Sequence, residues 1–271
     1  MDKCIIVGLP ESGKSTYIGA FWAIEKDGDT GHKLVCSKYP EDTTYLDSLK
    51  KDWNSQRMVN RSNQLEMKNI VLELTDTTEN KQISLCIPDF KGERFSNILQ
   101  NNISPEVEDW LSESDSVLFF IKYTEIDILQ EEMGENPDAQ TSTTPTVLRL
   151  KDMSEWSKNI MLIKYINENY DNIRKYTFCI SAWDKVDQEQ YPTAESLLKS
   201  KSPLFFNYLK HNLKKYSLYG VSAQGLDYAE YPQGETRETI QQRTEQFKRA
   251  YVYDTEQSYD ITKPLYSLLT D

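Results

Sequence analysis

The fold is decided near the amino terminus, by the stretch Gly8-Leu9-Pro10-Glu11-Ser12-Gly13-Lys14-Ser15. This stretch matches G-x-x-x-x-G-K-[ST], the pattern of a phosphate-binding loop, at every fixed position. The apolar run Cys4-Ile5-Ile6-Val7 before it predicts a strand, and the residues from Ser15 to Ile24 can form a helix. In this order, backbone N–H groups and the helix N-terminus can surround anionic oxygens. We therefore interpret the stretch as a phosphate site rather than a chance match in a glycine turn.

Two side chains of this loop have specific roles in such a site. Lys14 can reach the β- and γ-phosphates and is a candidate catalytic residue, and the Ser15 hydroxyl can ligate magnesium. The nucleotide-binding residues predicted in this loop are Gly8, Glu11, Ser12, Gly13, Lys14, Ser15 and Thr16.

Charge and composition limit the class of protein. The 271 residues carry a net charge of −12, which disfavours non-specific binding to nucleic acid. A cluster of lysines between Lys199 and Lys215 is interpreted as a solvated helix face. Because we find no signal-peptide pattern and no stretch long enough to span a membrane, we expect a cytoplasmic protein without a membrane partner. The four cysteines show no metal-binding spacing and are expected to be buried, reduced thiols.

The hydrophobic pattern predicts an α/β fold with a mainly parallel sheet, because apolar runs alternate with segments of helical periodicity. Six runs are candidate strands: Cys4–Val7, Ile70–Leu74, Ile83–Ile87, Val117–Ile121, Phe178–Ile180 and, more weakly, Leu218–Val221. The eight residues between the second and third runs are too few for a parallel crossover. These two strands are therefore predicted to form an antiparallel hairpin.

The chain is predicted to form a single domain over residues 1–271, with two insertions. Residues 41–58 have apolar positions at helical spacing, and residues 124–149 are acidic and polar, as in a surface loop. The segment from Pro264 to Leu269 predicts a closing C-terminal helix.

A second candidate motif follows the predicted strand at Ile83–Ile87. Asp89 and Gly92 form the pattern D-x-x-G, in which the carboxylate can hold magnesium through water and the glycine N–H can contact a γ-phosphate. The pattern alone is weak because aspartate and glycine are common in turns. Its position after a strand favours a functional role.

A third motif, Asp184-Lys185-Val186-Asp187, resembles N-K-x-D, which reads guanine. The Asp187 carboxylate can accept bonds from N1–H and the 2-amino group of guanine, which adenine cannot supply. The stem of Lys185 can lie over the base. Asp184 stands where asparagine is usual, and an ionised aspartate cannot donate to guanine N7. Either the affinity is lowered or Asp184 serves only to brace the loop.

A fourth motif, Ser222-Ala223-Gln224, resembles the S-A-K loop, in which a backbone N–H, here that of Ala223, meets guanine O6. The order and spacing of the four motifs resemble those of Ras-like P-loop GTPases of the translation-factor-related class (TRAFAC). The resemblance implies a six-stranded sheet, five strands parallel and one antiparallel, with helices on both faces. In detail the chain resembles bacterial double-GTPases of conflict and phage-defence systems, on the segments Gly13-Lys14-Ser15-Thr16-Tyr17, Asp89-Phe90-Lys91-Gly92-Glu93, Ser181-Ala182-Trp183-Asp184-Lys185 and Pro264-Leu265-Tyr266.

The resemblance also implies further site residues. A hydroxyl before the antiparallel strand contacts magnesium and the γ-phosphate in such GTPases, and Ser62 is the best-placed candidate, with Thr43 and Thr44 as rivals. Arg61 is then a candidate arginine finger in cis, with a solvated surface position as the alternative. Glu93 stands where glutamine often orients the attacking water. Its negative charge near the γ-phosphate predicts slow intrinsic hydrolysis.

The expected function is that of a regulatory switch that binds GTP or GDP with Mg2+ and hydrolyses GTP. Its expected partner is an effector or activating protein encoded nearby, and the resemblance suggests a bacterial anti-phage or conflict system. One alternative is a GTP-binding interaction subunit with little or no hydrolysis. A phosphate-transferring kinase is disfavoured because it would not need Asp187 and Ser222-Ala223.

Overall fold

A mixed sheet of nine strands lies at the centre of the protein. The computed structural model describes residues 2–28, 31–56, 70–88, 93–100, 102–123, 153–225 and 247–270. The strands are β1 (Asp2–Gly8), β2 (Leu34–Lys38), β3 (Ile70–Asp76), β4 (Gln82–Ile87), β5 (Ser116–Lys122), β6 (Lys175–Ser181), β7 (Tyr216–Ser222), β8 (Tyr251–Tyr253) and β9 (Gln257–Ser258). The helices in these ranges are α1 (Lys14–Asp27), α2 (Thr44–Asn54), α3 (Glu93–Ile98), α4 (Pro105–Glu113), α5 (Glu155–Asn169), α6 (Ala194–Lys201), α7 (Pro203–Asn212) and α8 (Lys263–Tyr266).

The strand order is β2-β3-β4-β1-β5-β6-β7-β8-β9. Five neighbouring strands are parallel, namely β4, β1, β5, β6 and β7. The strand pairs at both margins of the sheet are antiparallel. The α/β prediction is therefore confirmed, and so is the hairpin, in which Ile70 lies opposite Ile87. The predicted count of six strands is wrong. All six predicted strands are present, but β2 extends one margin and β8 and β9 extend the other.

Both faces of the sheet are covered, as strand β5 shows. Its side chains alternate between two hydrophobic cores, with Leu118 and Phe120 in one and Val117, Phe119 and Ile121 in the other. The first core contains residues of α1, α2 and α8, and the second contains residues of α3 to α7. A strand buried on both faces has a continuous apolar sequence rather than an alternating one. In the described ranges, no helix combines the length and the hydropathy needed to cross a membrane.

The predicted helix at 41–58 is α2, which lies against the phosphate-loop helix α1. A Cβ atom on Gly19 of α1 would lie 2.9 Å from the carbonyl oxygen of Leu49, so the backbones of the two helices approach closely at this point. The indole Nε1 of Trp22 donates to Asp47 Oδ1 at 2.8 Å. The helix is therefore packed into the first core. The predicted insertion at 124–149 lies outside the described residues.

The C-terminal segment ties three elements together. Tyr17 of α1 donates its hydroxyl to the carbonyl of Ile261 at 2.8 Å, and the Leu34 N–H of β2 donates to Thr262 Oγ1 at 3.3 Å. Lys175 of β6 donates to the carbonyls of Leu268 and Thr270, each at 3.1 Å. The helix in this segment is the four-residue α8, which is shorter than the predicted one.

The cysteines are unpaired thiols, as expected. Burial raises the pKa of Cys4 to about 12 and raises that of Cys179 as well, so both remain protonated at neutral pH. Cys36 and Cys86 are only half-buried, which corrects the expectation that all four are buried.

The turn after β6 is anchored by a tryptophan. Trp183 is fully buried, and its ring stacks on Tyr253 of β8 with centroids 5.9 Å apart. Gly220 of β7 makes room for the indole, because a Cβ atom there would lie 2.0 Å from Trp183 Cδ2. Packing of Trp183 against β7 and β8 therefore fixes the start of the loop that contains Asp184.

The substitution Gly220→Ala tests this packing. The added methyl group would overpack the contact with Trp183, and we expect a loss of about 3 kcal/mol in the free energy of unfolding. Urea denaturation of Gly220→Ala, Trp183→Phe and the double variant gives the coupling. The smaller ring should recover part of the loss in the double variant; strictly additive losses would contradict the contact.

A second prediction concerns the stability of the fold as a function of pH. Burial lowers the pKa of His32, and the negative charge of Asp260 opposes the shift only in part. The unfolded chain takes up a proton near pH 6.5, whereas folded His32 does so only at lower pH. Stability should therefore fall as the pH falls from about 7.5 to 5.5.

Denaturation midpoints across this range provide the measurement. In His32→Asn the slope of stability against pH should become shallower. The exposed His211 of α7 gives the matched control, because His211→Asn should keep the slope of the parent protein. Equal slopes in all three proteins would contradict the assignment.

Candidate nucleotide-binding site

Three of the four sequence motifs lie at one edge of the sheet. The phosphate loop follows β1, the segment Asp184–Asp187 follows β6, and Ser222-Ala223 lies at the end of β7. Because β1, β5, β6 and β7 are parallel, their carboxyl ends lie on the same edge. In parallel α/β sheets, ligands bind in the crevice outside this edge.

The phosphate loop is seated directly on the neighbouring strands. Gly13 has a φ of 95°, in the left-handed region that favours glycine. A Cβ atom on Gly13 would lie 2.8 Å from Ser181 Cβ at the end of β6, and one on Gly8 would lie 2.6 Å from the Phe120 carbonyl oxygen. Any larger residue at Gly13 would therefore push the loop away from the strand that leads to the third motif.

The loop offers backbone N–H groups and one ammonium group to an anion. Gly13 caps α1 without a side chain, and no acidic residue lies in the first turn of the helix. The N-terminal amides of a helix capped in this way can bind phosphate. Lys14 Nζ donates to the carbonyls of Gly8 at 2.6 Å and Leu9 at 2.7 Å, and to Ser12 Oγ at 2.9 Å. The ammonium group is thus held over the loop itself.

The other predicted residues of this loop differ in exposure. Ser12 is buried, whereas Ser15 and Thr16 are half-buried in the first turn of α1. Glu11 has a positive φ of 63° and is exposed, with Oε2 lying 3.8 Å from Lys122 Nζ. Glu11 is therefore at the rim of the loop, where Lys122 partly balances its charge.

Asp187 is exposed in the third motif, and local bonds orient its carboxylate. Its Oδ1 atom accepts the backbone N–H groups of Glu189 at 3.1 Å and Gln190 at 3.2 Å. Lys185 is exposed at the end of the short 3-10 turn Trp183–Lys185, which precedes Asp187. An oriented, accessible carboxylate has the acceptor geometry that a base-reading group requires.

Asp184 connects the third motif to the fourth. Its Oδ1 atom accepts the hydroxyl of buried Ser222 at 2.8 Å. Tyr251 of β8 lies beside this pair, and burial, together with the negative charge of Asp184, raises the pKa of Tyr251. This bond supports the second of the two roles considered for Asp184, that of bracing the loop.

Ala223 is held from the opposite side by residues that sequence reasoning did not assign to the site. Its carbonyl accepts Nε1 of Trp53 from α2 at 2.7 Å. The guanidinium group of buried Arg249 lies over the Trp53 ring, 3.7 Å from the centroid, and donates to the Trp53 carbonyl at 2.5 Å. Trp53 was recognisable in the sequence only as an apolar position of a helix, and its partners are about 170 and 196 residues away.

The remaining predicted site residues lie outside the described residues or directly beside a gap in them. Arg61, Ser62, Asp89 and Gly92 are outside the described residues, and Glu93 is the first residue of α3. Among the residues that the structure describes, no group of three or more histidine, cysteine, aspartate or glutamate side chains could hold a metal ion. The magnesium ligands Ser15, Ser62 and Asp89 therefore stay a prediction.

Comparison with known proteins gives both family and structural matches. The chain is similar to the crystal structure of a bacterial selenocysteine-specific elongation factor EF-Sec, with 13% identity and a TM-score of 0.37, over 83% of this chain and 27% of that chain. It is also similar to Sup35 complexed with GDP, with 12% identity and a TM-score of 0.36, over 83% of this chain and 38% of that chain. The chain thus spans well under half the length of either structure. A search of the curated proteins found no match.

The family comparison covers almost the whole chain. The model of the family described as Double-GTPase 1 matches residues 5–268. This range begins within β1, contains all four motifs and strands β2 to β9, and ends just beyond α8. This protein therefore belongs to the Double-GTPase 1 family.

Proposed function

We propose that this chain binds GTP and GDP with magnesium, hydrolyses GTP slowly and acts as a regulatory switch in a protein complex. Family membership supports the guanine-nucleotide class. The resemblance to conflict-system GTPases suggests a role in bacterial anti-phage defence, in the cytoplasm. The output of the switch is a contact with an effector or activating protein.

The observation that carries the proposal is the meeting of three distant motifs at one edge of the sheet. Gly13 of the phosphate loop lies against Ser181, and the chain continues from Ser181 into Asp184–Asp187. Asp184 in turn bonds Ser222 at 2.8 Å. The amides after β1 and the oriented carboxylate after β6 are thus supported at the same edge of the parallel sheet, with β5 between the two strands. This arrangement suits a ligand with phosphates at one end and a base at the other.

The residues have separate tasks in this proposal. The amides at the start of α1 and the ammonium of Lys14 bind the phosphates, and the Asp187 carboxylate accepts the N1–H and 2-amino groups of guanine. Magnesium, when bound, neutralises charge on the β- and γ-phosphate oxygens. Ser15, Ser62 and Asp89 would hold it. Arg61 and Glu93 are the candidates for charge stabilisation and for orienting water.

A GTP-binding interaction subunit with little hydrolysis is the second candidate. Two acidic residues favour it. Asp184 accepts a bond from Ser222 instead of donating to the base, and Glu93 introduces negative charge at the start of α3. Negative charge near the γ-phosphate disfavours the build-up of charge during hydrolysis.

The base-reading site is tested with Asp187→Asn. An amide presents one donor and one acceptor, which pairs with the N1–H and the 2-oxo group of xanthine but leaves a guanine donor unmatched. We expect GDP affinity to fall by about a hundredfold or more, and affinity for xanthosine diphosphate to rise. Calorimetric titration with GDP, xanthosine diphosphate and ADP, each with magnesium, measures both changes.

The matched control is Glu189→Gln, which removes a carboxylate from the same exposed loop. It should leave the order of the three affinities unchanged. Equal affinity of the parent protein for GDP and ADP, or binding of neither, would mean that the segment Asp184–Asp187 does not read the base.

Hydrolysis is tested by single-turnover assays of the isolated chain. We expect a rate on the order of 10⁻⁴ to 10⁻² s⁻¹, in the range of small GTPases without an activating protein. Arg61→Ala and Glu93→Ala should each lower this rate if these side chains act on the γ-phosphate. Unchanged rates in both variants would favour the interaction-subunit alternative, and turnover in the tens per second would contradict the prediction of slow hydrolysis.

A further inference from the structure

Helix α2 packs against two elements of the proposed nucleotide site, the phosphate-loop helix α1 and the fourth motif. Near its middle, Leu49 lies against Gly19 of the phosphate-loop helix α1, at the backbone approach described above. At its C-terminal end, the Trp53 indole donates to the Ala223 carbonyl at 2.7 Å. The segment that contains Arg61 and Ser62 follows a few residues later in the sequence. One helix therefore contacts both the helix that follows the phosphate loop and the end of the fourth motif.

We propose that Trp53 is a positioning residue that sets base specificity, by fixing the backbone around Ala223 so that the Ala223 N–H points to the 6-oxo group of guanine. This inference rests on the proposed function. The sequence motifs predict base-reading residues only in Asp184–Asp187 and Ser222-Ala223. The inference adds a supporting residue from α2.

Both sides of Ala223 are fixed by bonds from different elements. On the N-terminal side, the Ser222 hydroxyl donates to Asp184 at 2.8 Å. On the C-terminal side, the Ala223 carbonyl accepts the Trp53 bond. A backbone N–H that is aimed in advance costs no reorganisation when a ligand binds, and such preorganisation is a main source of affinity and selectivity.

Trp53 itself has little freedom to move. Its ring is fully buried and contacts the guanidinium of Arg249. It also stacks with the ring of Phe247, with centroids 6.5 Å apart and an interplanar angle of 10°. Arg249 also donates to the Trp53 carbonyl. Gly225 allows the approach of this cluster to the end of the fourth motif, because a Cβ atom there would lie 2.3 Å from the Arg249 carbonyl oxygen. The indole N–H is therefore a rigid donor.

The chain provides a matched control on the neighbouring helix. Trp22 is also fully buried, and its Nε1 donates to Asp47 at 2.8 Å. Trp22→Phe and Trp53→Phe thus remove the same atoms and one indole N–H bond each from the same core, although the acceptor of Trp22 is a carboxylate and that of Trp53 is a backbone carbonyl. Only Trp53→Phe removes a bond to Ala223.

The affinities for GDP, 6-thio-GDP and IDP distinguish a role of Trp53 in positioning the Ala223 N–H from a general loss of stability. 6-thio-GDP differs from GDP at the 6-position, where sulfur is a weaker acceptor than oxygen, and IDP lacks only the 2-amino group that Asp187 is proposed to read. We expect Trp53→Phe to bind GDP about five- to tenfold more weakly than the parent protein. Its preference for GDP over 6-thio-GDP should shrink by a similar factor, while its preference for GDP over IDP stays unchanged. Trp22→Phe should keep both preferences.

The experiment is a calorimetric titration of the full chain and both variants with these nucleotides and ADP. If Trp53→Phe does not fold, replacing Trp53 by benzothienylalanine keeps the ring shape and removes the N–H group. Equal behaviour of the Trp53 and Trp22 variants, or equal losses for all guanine analogues, overturns the positioning role. If the parent protein does not prefer GDP to ADP, the proposed function fails, and this inference fails with it.

Discussion

The close contact between Gly13 and Ser181 is the constraint on which the site depends. The phosphate loop can adopt its position only because Gly13 has no Cβ atom, since such an atom would lie 2.8 Å from Ser181 Cβ. The same contact places the loop beside the strand that leads into Asp184–Asp187. The phosphate loop and the segment Asp184–Asp187 thus follow two strands of the same parallel sheet, β1 and β6, with β5 between them. The two buried cores hold these strands in place.

The central strands could be predicted from the sequence because burial on both faces leaves a local signal. Strand β5 is apolar along almost its whole length, and the short connection between β3 and β4 leaves only the antiparallel pairing. The margins carry no such signal. Strand β2 has one fully buried residue, Leu34, while its Val35 is 37% exposed, and β8 and β9 have three and two residues. These strands form because the edge of a neighbouring strand offers backbone hydrogen bonds. The presence of that edge depends on the tertiary structure and cannot be read from the local sequence.

The same distinction applies to the site. The proposed phosphate and base motifs could be predicted from the sequence because each is a short segment whose chemistry is local. The supporting residues Trp53, Trp183 and Arg249 act through contacts with segments far away in the chain. A sequence pattern can show that Trp53 belongs to a buried helix face, but its bond to Ala223 follows only from the packing of α2. The glycine at position 220 was a signal of a close approach within a strand, although it did not identify Trp183 as the partner.

The aspartate at position 184 changes which hydrogen-bond donors and acceptors the proposed base-reading loop can offer. An asparagine there would both brace the loop and donate to guanine N7, whereas Asp184 accepts the Ser222 hydroxyl and has no donor for the base. An ionised carboxylate near the acceptor atoms N7 and O6 is also unfavourable. In the proposed function, guanine selectivity therefore rests on the Asp187 carboxylate and the Ala223 N–H. With fewer contacts to the base, each remaining one must be held more accurately. In the proposed function, this requirement gives a physical reason for the bond from Trp53 of α2 to Ala223.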